Sequence, residues 1–136
     1  VLKRMNMTQE QKDLLIKDLC ARLPYGVKCA EVYPDGNKFE NEWDIIRISK
    51  YVEDSIWISN SKTTYGYCSP IQNIKPYLFP LSSMSEELRD LLDNQYNFDA
   101  NGNVFTLQDF YCKYHIDYRG LISMGLALDA TGLNIY

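Results

Sequence analysis

Leu15, Ile16, Leu19, Cys20 and Leu23 recur with the spacing of one helix face, and Lys12, Asp13, Lys17 and Asp18 fall on the other. Thr8 followed by Gln11 has the form of a capping box, so the pattern predicts a helix over about 9–23, ended by Pro24 and Gly26. From Val27 to Tyr33 the chain turns β-rich, and Pro34-Asp35-Gly36-Asn37 is a hairpin signal because Gly and Asn accept positive φ. In the returning strand Phe39, Trp43 and Ile45 share one parity while Ile46 and Ile48 take the other, which predicts a bulge or a strand buried on both faces. A strand over 55–59, a turn at Asn60-Ser61-Lys62 and a strand over 63–68 complete an antiparallel meander of three to four strands. Pro70, Pro76 and Pro80 then lack the amide donors a central strand needs, so 69–81 reads as an edge strand or an extended connector.

The helical period returns at Ser83. With Glu86 it makes a second capping box, and Met84, Leu88, Leu91 and Leu92 form the stripe of a helix over about 84–95. Asn101-Gly102-Asn103 marks a turn, and Thr106 with Asp109 opens a third helix carrying Leu107, Phe110, Tyr111 and Tyr114. Asp117 reads as the cap of a fourth, with Leu121, Ile122, Met124 and Leu128 on its stripe. The expectation is one α+β domain over 1–136: an N-terminal helix, the meander, then three C-terminal helices packed on one face.

Composition narrows the function classes. At 136 residues and 46% hydrophobic content, one core of ordinary size is expected without a staple. A net charge of -4 gives no general attraction for nucleic acid, and Lys3-Arg4 is too short a run to count as a basic patch. Apolar runs such as Leu14-Leu15-Ile16 are too short to span a bilayer, so no membrane association is expected. The first residues lack a secretory pattern, although with Val at position 1 the chain is read as trimmed or as starting at Met5 or Met7. Cys20, Cys29, Cys68 and Cys112 form no CxxC pair and His115 is the single histidine, which predicts reduced, mostly buried thiols and no metal; no cofactor is expected either.

Few residues carry candidate chemistry. Asp99, Asn101 and Asn103 alternate like calcium ligands, but Val104 and Phe110 stand where that loop needs glycine and glutamate, so a plain turn is expected. The dense polar cluster is His115, Asp117, Tyr118 and Arg119, followed by Gly120. It offers a general base, an anion clamp and a hydroxyl donor. The same residues also read as structural: Asp117 a cap replaceable by Asn or Ser, Arg119 the partner of a carboxylate, Gly120 a close-packing site. Glu40, Glu42 and Asp44 on one strand face, and Glu86, Glu87 and Asp90, read as solvated acidic surfaces. Among eleven tyrosines, Tyr65, Tyr67 and Tyr77 stand outside the helical stripes and are candidates for an exposed binding patch.

The segments LPYGVK (23–28), IKPYLFPLSSMSEE (74–87) and HIDYRGLISMGLALDA (115–130) resemble a family of small proteins without assigned activity, found in gut Bacteroidales genomes and their phages and mobile elements. The resemblance covers most of the chain, 34–69 least, and implies a bacterial or phage cytoplasm and an accessory role. No catalytic residue transfers with it. The leading expectation is a non-catalytic accessory protein, a monomer or small homo-oligomer that binds an unidentified protein partner. The alternatives are a small enzyme using the His115–Arg119 cluster and, against the charge, a nucleic-acid-associated protein.

Overall fold

Helix α1 (Gln9–Arg22) starts as its residues require. Thr8 Oγ1 accepts the Gln11 backbone N–H at 3.1 Å, and Gln11 Oε1 accepts that of Thr8 at 3.0 Å. A 3-10 turn over Leu23–Tyr25 and Gly26 close it. The computed structural model describes residues 7–33, 42–49, 52–60, 65–95 and 106–136. The expected turns at 34–37, 61–62 and 99–103, with Phe39 and Glu40, lie outside them. α1 buries Leu15 and Leu19, as its stripe predicts, while Cys20 is exposed. Asp18, expected on the wet face, is fully buried.

Strands β1 (Lys28–Glu31), β2 (Trp43–Ile48), β3 (Ser55–Asn60) and β4 (Tyr65–Pro70) form the antiparallel meander, in spatial order β4-β3-β2-β1. The parity change in β2 is a bulge. The register shifts between Ile45 and Arg47, leaving Ile46 48% exposed and returning Ile48 to the core side.

β5 (Ile74–Pro80) corrects the reading of 69–81 as an edge or connector, because it is paired on both sides. It runs antiparallel to β1, with Ala30 opposite Lys75 and Cys29 opposite Pro76. It also runs parallel to the two-residue strands β6 (Ile116–Asp117) and β7 (Leu128–Asp129). Alternation explains how the prolines fit. The Val32 N–H donates to Asn73 O, so odd-numbered residues of this stretch turn their amides toward β1. Phe79 N–H donates to His115 O, which puts β6 on that same edge, beyond the end of β1. Pro76 and Pro80, being even, direct their donorless nitrogens to the β7 edge, where the short partner bonds only around Leu78. Between β1 and β6 the hydroxyl of Tyr136 fills the interval. It accepts the Lys28 N–H at 2.9 Å and donates to Tyr77 O at 2.8 Å.

Two α-helices follow the sheet among the described residues, α2 (Glu86–Gln95) and α3 (Leu107–Lys113). α3 carries the expected Thr106–Asp109 box, but α2 is capped by Ser85, whose Oγ accepts the Leu88 N–H. Ser83 instead donates to Pro80 O. The fourth helix expected after Asp117 is not formed: 118–127 is a run of turns. One turn is made, then Gly125 N–H donates to Ile122 O and Leu126 N–H to Leu121 O. This is the Schellman closure, made possible by φ +76° at Gly125. The apolar residues assigned to that stripe divide accordingly. Leu121 enters the core, Leu128 pairs in β7, and Met124 stays exposed.

The main core joins Leu15 and Leu19 to Cys29, Trp43, Ile45, Ile56, Ile58, Ile71, Ile74 and Leu78 of the sheet region, with Leu121 and Leu126 from the C-terminal turns. Each fully buried leucine or isoleucine contributes about 1.5–3 kcal/mol. On the opposite face of β1 and β5, a smaller cluster holds Ala30, Tyr77 and Ala130. No helix among the described residues is long and apolar enough to cross a membrane.

Candidate functional site

The polar centre of the molecule is built from both ends of the described chain. Leu15, Asp18, Leu19 and Arg22 stand at i, i+3, i+4 and i+7, so one face of α1 carries an acid–base pair in line with its core leucines. Arg22 Nε donates to Asp18 Oδ2 at 2.7 Å and Nη2 donates to Oδ1 at 3.2 Å, a two-point contact between side chains with no exposed surface. Arg22 Nη2 also donates to Ile116 O at 2.8 Å, tying α1 to β6. Arg119 supplies a second guanidinium, its Nε donating to Asp18 Oδ1 at 3.1 Å. Both guanidinium groups lie over the Tyr118 ring, at 5.5 and 4.8 Å, and Tyr111 stacks against that ring at 5.4 Å.

The HIDYRG segment arrives here between two left-handed residues. α3 ends at Tyr114, His115 takes φ +60°, and Gly120 takes φ +78° to start the following turn. A Cβ at Gly120 would meet nothing within 4 Å, so this glycine serves backbone conformation rather than the close packing expected of it. Asp117 is a cap, though of a turn instead of a helix. Its Oδ1 accepts the Leu121 N–H and its Oδ2 the Ile122 N–H, both at 2.9 Å. His115 stacks face to face on Tyr136, with centroids 3.5 Å apart.

Burial dominates the electrostatics of this centre. Burial, and secondarily the positive charge of Arg22, lowers the His115 pKa from 6.5 to about 4, so the imidazole is neutral and weakly basic. Burial raises both the Cys112 thiol and the Tyr118 phenol, which stay protonated. Arg22 Nη1 and His115 Nδ1 are buried without a hydrogen-bond partner among the described residues. No group of three His, Cys, Asp or Glu side chains there is arranged to hold a metal ion.

The other candidates are dispersed. Tyr77 is buried in the smaller cluster and Tyr67 is half-buried. Tyr67 packs edge-on against Trp43 and donates its hydroxyl to Glu31, which also accepts from Tyr33 at 2.9 Å. Burial and the Glu31 carboxylate both push the Tyr67 phenol upward. The buried Tyr77 ring offers no exposed patch, Tyr67 keeps part of its surface exposed, and the side chain of Tyr65 lies outside the described residues. Asp44 pairs with Lys28 at 3.0 Å, and Glu42, Glu86, Glu87 and Asp90 are exposed.

An open groove of about 630 Å³ lies between the Leu81–Met84 stretch and α2, with Leu81, Met84, Leu92 and Tyr111 as its apolar lining and Ser82, Arg89 and Asp93 as its polar lining. Among the described residues no element packs extensively on α2, and Leu88, Leu91 and Leu92 are only half-buried.

Sequence reasoning passed over Asp18, Arg22, Glu31 and Leu81. The register of Asp18 and Arg22 with Leu15 and Leu19 was the available signal for the first two. Glu31 carried none, since its partner Tyr67 lies 36 positions away, and Leu81 carried none although most of its groove is local in sequence. No family model, curated protein or solved structure matches the chain.

Proposed function

We propose that the chain is a non-catalytic accessory protein that works by binding another protein, as a monomer or small homo-oligomer, in the cytoplasm of a bacterium carrying it in its genome or on a phage or mobile element. The observation that carries this reading is the half-buried leucine stripe of α2 beside an open groove of mixed apolar and polar lining. It is supported by the engagement of the acid and base groups elsewhere. Asp117 spends both oxygens on backbone N–H groups, Asp18 is held by two arginines, and His115 is neutral. The setting rests on the resemblance of the three segments quoted above.

A small enzyme is the second reading, favoured by the unpartnered Arg22 Nη1 and His115 Nδ1. Nucleic-acid association is third, disfavoured by the net charge of -4. Affinity isolation from cells that naturally express the chain separates the first two, with wild type and His115→Gln run side by side. The protein-binding reading expects one stoichiometric partner, retained equally by both. A folded His115→Gln that loses the protein's cellular effect while keeping the partner would transfer the assignment to the enzyme reading.

A further inference from the structure

α2 distributes its charge unevenly around the groove. Its sequence EELRDLLDNQ sets four carboxylates against Arg89, three net negative charges in one helix of a chain whose total is -4. Glu86, Asp90 and Asp93 stand at i, i+4 and i+7, so they share one stripe of the helix. Arg89, Leu92 and Asp93 face the groove, which places that acidic stripe along one of its rims. Arg89 lines the groove too, its Nε donating to Met84 O at 3.4 Å, and the four carboxylates of the helix outnumber it. Leu81, at the opposite wall, is 44% exposed. Apolar side chains on both walls, Leu81 and Met84 facing Leu92, with an acidic rim, are the complement of one kind of surface: a helix with an apolar stripe and Lys or Arg beside it.

We propose that the groove between Leu81–Met84 and α2 receives the apolar face of a short amphipathic helix of a partner protein, with basic residues of that helix lying against Glu86, Asp90 and Asp93. This rests on the protein-binding reading above and names the partner's chemistry. The acidic rim raises the encounter rate and selects against acidic helices of the same apolar pattern.

The test is fluorescence anisotropy with a labelled helical peptide of about four turns, leucines at i, i+3, i+4 and i+7 and lysines on one flank. A scrambled peptide of the same composition and a version with glutamate for lysine serve as controls. Expected are micromolar binding of the first peptide only, about tenfold weaker between about 0.05 and 0.5 M salt, and a loss of about tenfold or more in Leu81→Arg. Paired Asp90→Lys and Asp93→Lys substitutions weaken binding and abolish the preference for lysine over glutamate. Circular dichroism confirms that each variant is folded. Failure of the basic peptide to bind at about 100 μM, equal binding of the scrambled peptide, or an unchanged Leu81→Arg overturns the proposal. A partner isolated from cells that binds Leu81→Arg as well as wild type sinks the groove and leaves the protein-binding reading standing.

Discussion

Where α1 meets β6, three charged side chains lie beneath or near the surface with most of their polar atoms engaged, whereas along α2 the leucines stay half in water and the charges line the outside. In residue types the first region looks like an active site and the second like an ordinary solvated helix. Atom by atom the order reverses. Asp18 and Asp117 already accept at both oxygens, and the groups able to move a proton have been shifted away from neutrality by burial. α2 keeps its leucines half-exposed beside an open groove, and the protein-binding proposal rests on that surface.

The sharpest way to break this comparison is to remove the anion that the first region is built around. Asp18→Ala leaves the Arg22 guanidinium buried without its counter-charge and should cost about 3–5 kcal/mol of unfolding free energy, measured by urea denaturation. A loss under about 1 kcal/mol would mean that Arg22 reaches water and that the cluster is more open than described.

Asp117 gives the next largest effect and revises the expectation that Asn or Ser could replace it. Because both oxygens accept N–H groups, Asp117→Ala should cost about 2–3 kcal/mol. Asp117→Asn should cost about half as much, since its NH2 would face a donor. Equal costs for the two variants would show that one of the bonds contributes little.

A third effect is in the acid limb of the stability profile. His115 has its pKa lowered from 6.5 to about 4, so between those values the unfolded chain binds a proton that the folded chain refuses. Its contribution is complete above about pH 6.5 and is lost as pH falls toward 4. His115→Gln should therefore flatten the dependence within that window, compared with wild type at matched temperature. An unchanged slope would mean that the ring is hydrated in the fold.

Several elements were legible in the sequence because their causes are local. The Thr8–Gln11 and Thr106–Asp109 boxes act over three residues, and the parity change at Ile46 lies within one strand. The meander follows from the same short-range signals. Other features were decided only by the tertiary structure. Whether a proline disrupts a strand depends on which edge its nitrogen faces. In β5 that is settled by β7, which bonds only where Pro76 and Pro80 do not need to donate. The 118–127 stretch has helical spacing, but left-handed backbone at Gly120 and Gly125 and the pairing of Leu128 with Tyr77 divide it into turns. Asp18 reads as a wet residue until Arg119, 101 positions away, and Ile116 O, bonded to Arg22 across 94 positions, arrive to satisfy the pair. Burial of charge depends on partners that the chain brings from far along its length, and local pattern carries no record of them.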